Sequence, residues 1–100
     1  MSNQRQFERV DVVLPVLLVH GGREIPAVSR NVSLGGMLLD GTTDLPFGTV
    51  IKLRVHLPAM KESSDLTATV RWVRDGAIGV QFGLLRAKET WALNQLTKQG

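Results

Sequence analysis

Residues 66–82 read L-T-A-T-V-R-W-V-R-D-G-A-I-G-V-Q-F. The first nine residues are rich in threonine, valine and other strand formers. The last six alternate so that Ile78, Val80 and Phe82 share one side, and Asp75-Gly76 between the two runs has the chemistry of a two-residue hairpin turn. The stretch therefore predicts an antiparallel hairpin with one face in a core. By the same parity Trp72 and Phe82 are expected to point inward.

Upstream, Ile51, Leu53, Val55 and Leu57 share one face of a run whose other face carries Lys52, Arg54 and His56, the pattern of a half-buried strand. Residues 10–20, V-D-V-V-L-P-V-L-L-V-H, read as a first strand and lead through Gly21-Gly22 into a second strand from about Arg23. Paired glycines suit a hairpin turn because both central positions take positive φ. Pro46-Phe47-Gly48 and the stretch from Pro58 to Asp65 read as loops. From about Arg86 the texture becomes R-A-K-E-T-W-A-L-N-Q-L-T-K, which predicts a terminal helix. On that helix Ala92, Leu93 and Leu96 cluster, while Trp91 and Ala87 point elsewhere, so its apolar surface is broad. Either both patches pack on the strands, or one is a surface for a partner protein or a second copy of the chain. Short antiparallel strands of this kind close most simply into a barrel, which removes exposed edges. The expected fold is mainly β, a small closed antiparallel barrel with a C-terminal α-helix.

The chain has 100 residues, enough for one domain, and no cysteine, which excludes disulfides and thiolate metal sites. Its net charge of +3 favours anionic partners without amounting to a dense nucleic-acid surface. No apolar run is long enough to cross a bilayer and the first residues lack a signal-peptide pattern, so a soluble cytoplasmic protein is expected. Catalysis has little to stand on. His20 and His56 are the only histidines and neither lies in a ligand-spaced cluster, no nucleophile elbow or phosphate loop occurs, and Asp40, Asp44 and Asp65 occupy ordinary turn or loop positions. A single-strand nucleic-acid barrel would need a stacking platform, and five aromatics, two of them assigned inward, do not supply one. The expectation is a binding protein that is not an enzyme.

Two fragments carry the candidate ligand chemistry. Arg5 and Arg9 stand four residues apart in R-Q-F-E-R, within a segment 1–9 read as a flexible arm ahead of the domain 10–100. Asn31, Ser33 and Gly36 stand in N-V-S-L-G-G. With residues 27–34 extended, alternation places Val28, Val32 and Leu34 on the core side and Ser29, Asn31 and Ser33 on the outer side. Guanidinium forks grip phosphate or a guanine edge bidentately, and short polar side chains read the rest of a planar anion. Taken alone, Asn31 and Ser33 also fit ordinary turn chemistry, and the arginines a solvated basic arm.

In combination, R-x-x-x-R before the first strand, N-x-S-x-x-G at the end of the second and the later W-V-R-D-G-A-I-G-V-Q-F resemble the PilZ domain, a family of bacterial receptors for cyclic di-GMP. The resemblance covers nearly the whole chain. It implies a barrel of about six strands with a helix after it, and no cofactor or metal besides the nucleotide ligand. It also implies that Arg5 and Arg9 grip guanine edges and phosphates, that Asn31 and Ser33 bond a guanine, and that Gly36 leaves room for it. Asparagine at 31, in place of the commoner aspartate, is a weaker acceptor for guanine N–H groups. A stand-alone domain of this kind acts on a downstream protein. Motility, surface attachment, exopolysaccharide production and virulence are the processes the family implies. A PilZ-like adaptor with little or no nucleotide binding is the alternative.

Overall fold

The computed structural model describes residues 9–41 and 45–98. Arg5, Asp44 and the arm residues 1–8 lie outside them. Among the described residues there are seven strands: β1 (Val10–Asp11), β2 (Pro15–His20), β3 (Arg23–Val32), β4 (Gly36–Asp40), β5 (Val50–Val55), β6 (Ser64–Arg74) and β7 (Ala77–Phe82). Helix α1 (Ala87–Thr97) follows. The sheet runs β1-β3-β2-β5-β6-β7-β4, and a further β3–β4 pairing closes six of the strands into an antiparallel barrel, with β1 added beside the end of β3. This is the expected fold, and both glycine turns fall where the sequence places them. Gly21 and Gly22 join β2 to β3 with φ of 59° and 78°, and Gly76 joins β6 to β7 with φ of 74°.

Strict alternation on β5 fills the barrel. Ile51, Leu53 and Val55 are buried, and Leu57 joins them just past the strand end. Leu18, Leu39, Leu66, Val70 and Ile78 meet them from the other strands, so the core is mostly aliphatic, with Phe82 its one aromatic among the described residues. Helix α1 adds Ala92 and Leu93 to this core, with Leu96 packed at its margin. Trp91 stays 53% exposed, so only one of the helix's two apolar patches packs on the barrel. The helix start is tied by Glu89, which is buried; its Oε1 accepts the backbone N–H of Arg86 at 3.1 Å while its Oε2 accepts from the Arg86 guanidinium. That contact holds the Glu89 carboxyl below the usual carboxylate range, chiefly through the side-chain hydrogen bond from Arg86.

Three irregularities correct the reading from alternation. The run 10–20 is two strands, because Val13 and Leu14 together oppose Ser29, between the Val12–Arg30 hydrogen bond and the Pro15–Val28 pair. Proline at 15 has no N–H to give, and the Ser29 hydroxyl fills the gap by accepting from Leu14 N at 2.9 Å and donating to Val12 O at 2.6 Å. On its other side β3 bulges at Arg30, so that Arg30 and Asn31 together oppose Leu38. The bulge resets the strand's parity. Ser29, expected outside, is buried at 1% exposure, and Val28, expected inside, is 42% exposed, while Val32 is buried as expected; Ser33, also expected outside, is buried in the turn that follows the strand. Likewise β6 is irregular between Val70 and Trp72, where the pairing passes from Val80 to Gly79. Trp72 therefore lies at the surface, 37% exposed and covered on one face by the Arg74 guanidinium 5.0 Å from the ring centroid, while Phe82 is buried as expected.

Candidate functional site

The β3 bulge builds the site. In an unbroken strand neighbouring side chains point to opposite faces; with one residue inserted, Arg30 and Asn31 both reach the outer side. Beside them runs β1, in register Val10↔Val32 and Asp11↔Asn31. Beyond the bulge on the opposite flank, β4 brings Leu38 and Asp40. Together Asp11, Val28, Arg30, Asn31, Leu38 and Asp40 form most of the lining of an open cleft of about 450 Å³.

Charges of both signs meet there. Arg9, one residue before β1, turns its guanidinium onto the cleft wall, and its Nη1 donates to Asn31 Oδ1 at 3.1 Å. Arg30 Nε lies 3.1 Å from Asp40 Oδ2, an ion pair whose two side chains are both partly exposed. The exposed pair contributes little to stability, but it holds a guanidinium at the rim of the cleft. The arrangement suits a planar ligand with anionic groups: guanidinium donors from Arg9 and Arg30, the Asn31 amide, and the apolar surfaces of Val28 and Leu38 in one cleft.

The five residues singled out from the sequence fall into three groups. Arg9 and Asn31, 22 positions apart, are brought into contact. Ser33 and Gly36 form the turn immediately after Asn31. The Ser33 hydroxyl is buried and accepts the N–H groups of Gly35 and Gly36 at 3.0 and 3.1 Å, and Ser33 N donates to Gly36 O at 2.8 Å. At Gly36 a Cβ would strike the carbonyl oxygen of Val80 across the β4–β7 pairing, so glycine is required by the approach of the two strands. Arg5 lies outside the described residues. Sequence reasoning missed Asp11 and Arg30, and it took Asp40 for an ordinary turn residue although Asp40 ends β4, lines the cleft and pairs with Arg30. Arg30 stands next to Asn31 in the sequence, and that adjacency becomes a shared surface only through the bulge.

Among the described residues no helix is long and apolar enough to cross a membrane. Elsewhere on the surface His56 caps a turn through the Met60 carbonyl, to which its Nε2 donates at 2.7 Å.

Comparison with solved structures places the whole fold among known ones. The Bacillus subtilis inhibitor of motility MotI/DgrA matches with a TM-score of 0.77 and 25% identity over 97% of this chain, and the chain spans 51% of that protein's length. The PilZ domain of CeSA from a cellulose-synthesizing bacterium matches with a TM-score of 0.73 and 18% identity, over 91% of this chain and 95% of that one. The Legionella protein Lpg0364 matches at 0.53 and 22% identity, over 91% and 90% of the two chains. No curated protein matches. Residues 3–99 match the PilZ domain family, a family that includes receptors for cyclic di-GMP, and the chain thus belongs to that family.

Proposed function

We propose that this chain binds cyclic di-GMP in the cleft between β1, β3 and β4 and, in binding it, changes how it contacts a downstream protein. The observation that carries this reading is the Arg9–Asn31 hydrogen bond, which joins the arginine motif to the N-x-S-x-x-G motif at one cleft. Arg5 and Arg9 supply charge-assisted bonds to phosphate and to a guanine edge, and Asn31 reads the base. Ser33 and Gly36 shape the turn that presents Asn31. Residues 1–9 act as the arm and residues 10–100 as the platform it closes on. Fixing an arm residue costs about 1–2 kcal/mol, and a hydrogen bond to a charged group contributes about 1.5–3 kcal/mol, so several such bonds are required and neither arginine is dispensable. The arginine, amide and carboxylate groups that the cleft presents suit binding, and we read the chain as a receptor without turnover.

A second reading is an adaptor that works through protein contacts alone, in the cytoplasm or at a motility apparatus. One observation favours it, the commitment of the Ser33 hydroxyl to the backbone of its own turn; a structural relative that is an inhibitor of motility supports action on a partner protein under either reading. Isothermal titration with cyclic di-GMP, with GTP and cyclic AMP as controls, separates the two. Saturable heat with cyclic di-GMP alone is expected; no heat with any of the three would leave the adaptor.

A further inference from the structure

A guanine carries two donors on one edge, N1–H and the 2-amino group, and acceptors at O6 and N7. The cleft must therefore present an acceptor to that edge. Asn31 offers that edge only the second lone pair of a neutral Oδ1 that already accepts from Arg9, and its amide nitrogen is a donor, matched to O6 or N7. Asp40 is engaged by Arg30.

Asp11 remains, and the register puts it directly across from Asn31. Val12 N donates to Arg30 O at 3.2 Å, which makes residues 12 and 30 a hydrogen-bonded pair and residues 11 and 31 a non-hydrogen-bonded one. Opposed side chains are closest in pairs of that second kind, with Cα atoms about 4.5 Å apart. Asp11 is exposed and lines the same cleft, and among the described residues no ion pair engages it.

We infer that Asp11 is a guanine-reading residue. Its carboxylate accepts N1–H and the 2-amino group of one guanine of the bound dinucleotide and supplies, from the neighbouring strand, the negative charge that Asn31 lacks. The inference rests on the receptor reading above and adds a specificity determinant to it. A carboxylate accepts more strongly than an amide, so this contact, more than Asn31, distinguishes guanine from a base without the donor edge.

The test is a comparison of cyclic di-GMP with cyclic di-IMP, whose bases lack the 2-amino group, titrated calorimetrically against the wild type, Asp11→Ala and Asp11→Asn. Asp11→Ala is expected to weaken cyclic di-GMP binding about tenfold and cyclic di-IMP binding no more than about threefold, because only the first ligand loses a partner for its amino group. Asp11→Asn, which keeps an oxygen acceptor but not the charge, is expected between the two, and it carries the comparison should the alanine variant not fold. Equal losses for both nucleotides would make Asp11 a support for Arg9 and overturn the inference, as would unchanged cyclic di-GMP affinity in either variant. A wild type that binds neither nucleotide would overturn the receptor reading and this inference with it, an outcome distinct from the other two.

Discussion

The β5–β6 wall of the barrel and the β3 wall with its neighbours β1 and β4 differ in one respect that governs what each can do. From Val50 to Val55, β5 pairs with β6 residue for residue, and every second side chain enters the core. Along β3 the pairing is interrupted on both flanks, by Val13-Leu14 opposite Ser29 and by Arg30-Asn31 opposite Leu38. An uninterrupted ladder can hold up a core, but it cannot put consecutive polar side chains on one face. The interrupted wall does so, and it stays intact because a buried serine hydroxyl bonds the backbone groups that the gap would leave unpaired.

The contrast can be broken most forcefully at Leu53, fully buried on the regular wall. Leu53→Ala is expected to lower unfolding free energy by about 2–5 kcal/mol in urea titration, while the surviving folded protein keeps its nucleotide affinity. Ser29→Ala on the irregular wall should cost less stability, on the order of 1–3 kcal/mol, because Leu14 N and Val12 O lose their shared partner. Unlike the leucine change it should also weaken cyclic di-GMP binding, since β1 is no longer held in place; a variant with both properties unaltered would dissolve the distinction between the walls. Arg9→Ala touches only the cleft. It should weaken binding at least about tenfold, or 1.4 kcal/mol, at an unchanged melting temperature, and Arg5→Ala should do the same.

The smallest expected effect lies away from both walls, at the helix start. Because the folded protein holds Glu89 below its ordinary range, the stability this carboxylate adds is present above the range in which an unfolded-chain glutamate titrates. It disappears as pH falls through the lowered folded value. Unfolding free energies from urea titration of the wild type and Glu89→Gln should therefore differ near neutral pH, by about 1 kcal/mol on the scale of a lost cap, and converge in acid.

Most of the fold was legible for the same reason the β5–β6 wall is regular. Alternation at Ile51, Leu53 and Val55 and turn chemistry at Gly21-Gly22 and Asp75-Gly76 are local properties, and they survive into the barrel unchanged. Where a bulge intervenes, counting by twos fails from one side of it to the other, and Val28, Ser29 and Trp72 were each assigned to the wrong side on that account, while Ser33, also expected outside, is buried by the turn it closes. The candidate site was half legible. Arg9 and Asn31 stood out as members of spaced motifs, whereas Asp11 and Arg30 acquire their place only from strand register and from an inserted residue, neither of which leaves a periodic trace.

The collision that any side chain at residue 36 would meet on the β7 backbone bears on how such chains are sorted by inspection. A descendant that had lost all use for a nucleotide would still be obliged to keep this glycine, since the barrel could not shut without it. Counting it toward a ligand signature inflates the score of silent members of the family, and the arginines and the residues facing them across β1 and β3 are the positions where a working pocket and an abandoned one will diverge.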